Sequence, residues 1–191
     1  EAHVEEAMTK LDMEVGRAKR WSAMVKVNPL VRVGNVYDDI GDAASEIGAG
    51  LIIMGTHGMR GMQFITGSRA LRVITNSSVP FIVVQERNIK EDGYRDIVVP
   101  MDLHKETRHK LTQVADMAHY FKSRVHLVVP KESDEFLHNQ LVNHLKFANT
   151  YLQERGIDHE SAILDVDSTD FVKGVIRYAV KVDADLIAIV N

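Results

Sequence analysis

Residues 51–85 read LIIMGTHGMRGMQFITGSRALRVITNSSVPFIVVQ, and the fold is decided here. Leu51-Ile52-Ile53-Met54 is a short apolar run of the kind that forms a strand buried on both faces. It stops at Gly55, and a loop carrying Gly55, Gly58, Gly61 and Gly67 follows. Ser68 opens a helical pattern with Leu71 and Ile74 on one face and Ala70 beside them. Pro80 lies past that helix, and Phe81-Ile82-Val83-Val84 predicts a second buried strand. Glycines let backbone come close to a ligand. A helix that opens at Gly-Ser aims unpaired N–H groups at whatever lies in front of it, which makes an anion site.

Working upstream, Val4, Met8, Leu11 and Val15 recur at helical spacing and predict a helix over residues 1–20, with Arg17, Lys19 and Arg20 at the end that suits cations. Residues 24–33 alternate as a strand would, with Pro29 implying an edge or a bend. Residues 36–47 predict a helix with Ile40, Ala43, Ala44 and Ile47 inward. Downstream, the polar stretch 86–93 reads as a linker. Strands follow at 97–102, 125–129, 161–166 and 186–190, separated by helices at 106–121, 133–155 and 169–182, with Gly156 ending the longest. Strands that alternate with helices imply a parallel α/β sheet.

The chain repeats itself. At an offset of 135 positions Val31 meets Val166, Ile40 meets Val175, Ala44 meets Ala179, Ile47 meets Val182, Ala49 meets Ala184, and Leu51-Ile52 meets Leu186-Ile187. Helix and strand register are kept together, which implies two copies, at 1–86 and 94–191. Two such units exceed 191 residues. The expectation is therefore a longer tandem protein, the first copy lacking its opening strand, helix and strand and the second lacking its closing loop, helix and strand.

The stretch 51–85 resembles the universal stress protein family in its nucleotide-binding branch. That family carries Gly, two residues, Gly, nine residues, then Gly-Ser or Gly-Thr between its fourth strand and last helix. Gly55-Thr56-His57-Gly58 and Gly67-Ser68 supply both halves, with eight residues rather than nine between Gly58 and Gly67. Ser77-Ser78-Val79-Pro80-Phe81-Ile82-Val83-Val84 is also similar to the family, as is Val98-Val99-Pro100-Met101-Asp102, which looks like its first strand. The resemblance implies two open, doubly wound parallel-sheet units and a cytoplasmic stress-response protein that binds ATP or a related adenine nucleotide, with or without Mg. It implies nucleotide-binding roles for Met54, Gly55, His57, Gly58, Gly67, Ser68 and Arg69. Asp102 would stand where the family's adenine-facing Asp stands, but Val190-Asn191 replaces Gly55-Thr56 there, so the second site is read as degenerate. The resemblance also implies pairing through the edge strand 81–84, between the two copies or in a homodimer.

The residues themselves leave plainer readings open. Spaced glycines also suit a tight connection needed only by the fold. Met54 packs on a base or simply in the core, His57 touches a phosphate or is an ordinary loop residue, and Arg69 and Arg72 belong equally to a solvated helix face. Asp102 caps or turns the chain in its plainer role. No P-loop lysine, G-x-G-x-x-G, H-E-x-x-H or G-x-S-x-G pattern occurs. His104, His109, His119, His126, His138, His144 and His159 form no ligand set and are expected at the surface or in ordinary core positions. The absence of Cys removes disulfides and thiol chemistry. A net charge of −4 speaks against a broad nucleic-acid footprint, and no run has the length of a membrane span. Catalytic and metal residues are thus expected to be none. The alternatives to a nucleotide-binding switch are an interaction protein whose loop is structural, and a slow ATPase or nucleotidyl transferase.

Overall fold

Helix α1 (Ala2–Trp21) opens the chain and carries Lys19 and Arg20 in its last turn, where the helix dipole favours cations. A computed structural model describes residues 2–55, 68–84, 89–103 and 107–189. They divide into two units, Glu1–Arg87 and Asn88–Asn191.

In the first unit, α2 (Val36–Glu46) starts at Asn35, whose side chain accepts the Tyr37 N–H at 3.1 Å, with Asp38 and Asp39 in the first turn. Strand β1 (Ile52–Gly55) is followed by α3 (Ser68–Thr75) and β2 (Phe81–Val84). The two strands pair in parallel, Ile52 opposite Phe81 and Met54 opposite Val83. Helices α2 and α3 meet at Gly41, where a Cβ would stand 3.1 Å from the Ser77 Cβ and 3.3 Å from the Asn76 carbonyl. Asn76 also donates to Asp38 at 2.9 Å, and the Arg72 guanidinium lies 4.8 Å from the centre of the Tyr37 ring.

Three expectations are corrected here. Residues 24–33 form no strand: Pro29 offers no N–H for a ladder, and Leu30 and Val33 stand exposed. Strand β1 is buried on one side only, since Met54 is buried while Ile53 is 64% exposed. Ile47 does not face inward. It is the C-cap of α2 and is exposed, because the chain leaves the helix there.

The second unit runs β3 (Asp96–Pro100), α4 (Thr107–Phe121), β4 (Arg124–Pro130), α5 (Glu135–Gln153), β5 (His159–Leu164), α6 (Phe171–Lys181) and β6 (Leu186–Ile187). The sheet order is β5-β4-β3-β6, parallel throughout. The chain winds outward from β3 to β5 and returns to the other side of β3, which places the switch of strand order at the carboxyl end of β3. Ile97, Val98 and Val99 are fully buried, as a strand covered on both faces requires. Each such side chain is worth about 1.5–3 kcal/mol. Val98 and Val128 meet Val175 and Ala179 of α6, while α5 packs on β4 and β5 from its own side. Asp134 caps α5 by accepting the Leu137 N–H at 2.9 Å. Strand β5 begins two residues earlier than its apolar pattern suggests, because His159 already pairs with Val125.

Candidate functional site

β1 brings the chain to Gly55 at its carboxyl end, opposite Val84 of β2, and α3 begins at Ser68. Met54 is buried at the strand's end, 9% exposed and paired with Val83. His57, Gly58 and Gly67 lie outside the described residues, as do the side chains of Ser68 and Arg69. What is fixed is the frame: a parallel strand, a helix that starts at Ser68, and a second strand beside the first. A helix start of this kind presents backbone N–H donors and the positive end of its dipole.

Asp102 lies in the second unit, just past β3. It is half-buried, and its carbonyl oxygen lies 3.0 Å from Nδ1 of His144 on α5. Met101 donates its N–H to the Val128 carbonyl at 2.7 Å, and Ala188 donates to the Val98 carbonyl at 2.9 Å, so the backbone leading into this position is held to both neighbouring strands.

Residues 2–85 match the universal stress protein family. A universal stress protein from Archaeoglobus fulgidus DSM 4304 aligns over 98% of this chain and 67% of its own, at 16% identity and a TM-score of 0.70. A functionally unknown protein from Pseudomonas aeruginosa PAO1 aligns over 95% of this chain and 66% of its own, at 15% identity and a TM-score of 0.58. These likenesses show the fold. A universal stress protein solved in complex with cAMP aligns over 50% of this chain and 75% of its own, at 17% identity and a TM-score of 0.42. Among curated proteins no match is found.

Two buried polar positions of this fold were not singled out in the sequence. Lys110 is 8% exposed on α4 and donates from Nζ to the Pro100 carbonyl at the end of β3. Burial pulls its ammonium below the ordinary lysine range, and the charge of Asp102 works in the opposite direction. Its signal was the helical spacing that puts residue 110 on the face of Val114 and Ala118. The second is His126, 3% exposed in the middle of β4. Its Nε2 lies 2.8 Å from Oδ1 of Asp96 and its Nδ1 lies 2.8 Å from Oε1 of Glu160. A surface or ordinary core position was expected for this histidine. Instead the ring joins carboxylates of the strands on both sides. Its signal was position 126 in the run Val125-His126-Leu127-Val128, where period-two alternation sets it on the buried side with Val128.

Among the described residues no group of three or more His, Asp or Glu side chains could hold a metal ion, and no helix is long and apolar enough to cross a membrane. A cavity of about 430 Å³ opens beside α5, lined by Pro130, Lys131, His138, Leu141 and Leu164 among others. It lies at β4 and β5, away from the switch at β3.

Proposed function

We propose that the protein binds an adenine nucleotide, ATP or a close relative with or without Mg, through the loop 55–68 of its first unit. It acts in the cytoplasm and responds by changing conformation rather than by fast turnover. The observation that carries this reading is the frame around the loop: β1 ends at Gly55 and α3 begins at Ser68, beside a parallel β2. Ligands of open α/β sheets sit at the carboxyl ends of strands, where a helix N-terminus can meet a phosphate. Phosphates would be held by backbone N–H groups and the Ser68 hydroxyl, with no lysine clamp.

The two units are tandem copies in this reading, and Val190-Asn191 stand where the first has Gly55-Thr56, so one nucleotide per chain is expected. Support comes from α2 and α6, which start and stop at positions 135 residues apart, Val36 with Phe171 and Glu46 with Lys181. Assembly is proposed through the edge strand β2, with a second copy as the partner.

The test begins by denaturing the purified protein and identifying released nucleotide by mass spectrometry. Titration calorimetry with ATP, ADP, AMP and cAMP follows, on wild type and on Gly67→Val and Ser68→Ala. A hydrogen bond to a charged group is worth roughly 1.5–3 kcal/mol, so Ser68→Ala is expected to weaken ATP about tenfold or more. Equal affinity in wild type and a folded Gly67→Val overturns the site, and two equivalent sites per chain overturn the single-site reading.

A further inference from the structure

The polar cluster around His126 is built from four elements of the second unit. Asp96 comes from β3, His126 from β4, Glu160 from β5 and Tyr178 from α6. The imidazole is buried, while Asp96 and Glu160 keep 30% and 49% of their side chains in contact with solvent. Each ring nitrogen lies 2.8 Å from a carboxylate oxygen. The Tyr178 hydroxyl donates to Oε1 of Glu160 at 3.0 Å, so the oxygen it turns toward Nδ1, at 3.3 Å, is an acceptor.

A carboxylate only accepts, and a neutral imidazole has a single N–H. With a neutral ring, one of the two 2.8 Å contacts would set a nitrogen lone pair against an anion. With both nitrogens protonated, both contacts become charge-assisted hydrogen bonds, and the Tyr178 oxygen is accommodated as well. The other charged group close by is Arg124 on the same strand, which interacts with Asp96 and Glu160 through its charge while its Nε donates to Asp158 at 2.9 Å. Asp185, after α6, accepts the Asp96 backbone N–H at 3.1 Å and so fixes the strand end that carries the Asp96 carboxylate.

We propose that His126 is a proton-dependent clasp, which ties β3, β4, β5 and α6 together while its ring carries two protons and loosens them when it gives one up. The clasp needs ionised carboxylates and a charged ring at once. The Glu160 carboxyl is held below its usual range first by the Tyr178 hydroxyl and then by His126, against burial, so it stays ionised on mild acidification. Histidine changes charge between about pH 5 and 8. The sign follows from the two carboxylate contacts: the clasp is closed when the ring holds its second proton and opens as pH rises, so the second unit is tightened by mild acid. This inference concerns the second unit and does not depend on nucleotide binding.

The experiment uses the whole chain. Long-range ¹H–¹⁵N correlation spectra of the imidazoles, recorded from pH 5 to 9, are expected to show His126 with both nitrogens protonated at pH 6. A pattern with a single N–H at that pH overturns the clasp. Urea unfolding of wild type and His126→Gln at pH 5.5 and pH 8 gives the second readout. The unfolding-constant gap between the two proteins is expected to be at least threefold larger at pH 5.5. An equal gap, or a larger one at pH 8, overturns the proposal, because a merely structural histidine gives no such difference. Should His126→Gln fail to fold, Glu160→Gln, at a half-exposed side chain, replaces it under the same two criteria.

Discussion

Gly48 and Asp183 hold the same left-handed backbone, with φ of 66° and 52°, at the same point after α2 and α6. Each follows the C-cap residue, Ile47 in one helix and Val182 in the other. Beyond them Ala49 donates its N–H to Ala44 at 2.8 Å, and Ala184 donates to Ala179 at 2.9 Å. One helix stop is therefore written twice, with the left-handed C′ position that ends many helices. Glycine adopts that geometry freely, whereas a side chain there costs roughly 1–2 kcal/mol. No atom lies within 4 Å of a Cβ built on Gly48, so Gly48→Ala tests backbone alone. It is expected to destabilise the first unit by about 1 kcal/mol, read as faster hydrogen exchange in peptides covering α2, with the second unit unchanged.

Gly93 faces a harsher constraint. Its φ is +79°, and an added Cβ would stand 2.3 Å from Cδ1 of Phe121. Tyr94 and Tyr120 meet that ring edge-on with centroids at 5.2 and 4.8 Å, so moving it aside disturbs both contacts. Backbone strain and overpacking add, so Gly93→Ala is expected to destabilise the second unit by about 2–4 kcal/mol. Urea denaturation followed by circular dichroism measures it. Phe121→Leu in the same background should recover part of the loss by making room.

Where the sequence was legible, local chemistry and tertiary environment agreed. Val98 and Val99 lie in an apolar run that ends up covered on both sides, and Gly156, with a φ of 66°, stands just past the end of α5. The offset of 135 positions was read from apolar pairs such as Ile40 with Val175 and Ala44 with Ala179, and α2 and α6 start and stop at that same offset. Legibility failed where the outcome depended on neighbours. Ile53 looks identical to Ile97 in sequence terms, yet one is 64% exposed and the other fully buried, since burial depends on what covers a strand. Residues 24–33 alternate correctly, but alternation does not supply a partner ladder. For His126 the decisive fact is that Asp96 and Glu160 arrive from strands 30 and 34 residues away, and only the sheet register 5-4-3-6 brings them together. At the candidate site, the frame of Gly55 and Ser68 was readable from glycine spacing and helix-start chemistry, while Lys110 was hidden among the lysines expected at a helix surface.

Asp185 gives a pH dependence of opposite sign to that of His126. Its side chain is 6% exposed, accepts the Arg95 and Asp96 backbone N–H groups at 2.8 and 3.1 Å, and meets the Lys90 ammonium at 2.8 Å. Burial pushes its carboxyl up, but Lys90 and the two N–H groups pull it further down, and the net position is below the usual aspartate range. A depressed carboxyl contributes stability that is present above its unfolded value near pH ~4 and is lost as pH falls through the folded value. Asp185→Asn is expected to cost about 1.5–3 kcal/mol at pH 7. The difference from wild type should shrink below about pH 4 as the native carboxyl takes up its proton. Paired denaturation curves at pH 7, 4 and 3 check both the size and the sign.

The last prediction concerns assembly through β2. Ile52 donates its N–H to the Pro80 carbonyl at 2.9 Å and lies opposite Phe81. In a parallel ladder the polar groups of alternate residues face one neighbour. Ile82 and Val84 therefore turn their backbone groups toward β1, and Phe81 and Val83 turn theirs toward the outer edge. Ile82 is 7% exposed within its own unit, so placing a charge there would test the fold of that unit instead of its assembly. Val83→Pro is the cleaner change. It removes one outward N–H, leaves the bonds to β1 in place, and proline is tolerated on edge strands. If β2 pairs with a second copy, Val83→Pro is expected to shift sedimentation equilibrium toward the smaller species by at least tenfold in the dissociation constant, while far-UV circular dichroism stays at the wild-type level. An unchanged association constant in the folded variant would move the interface to another surface.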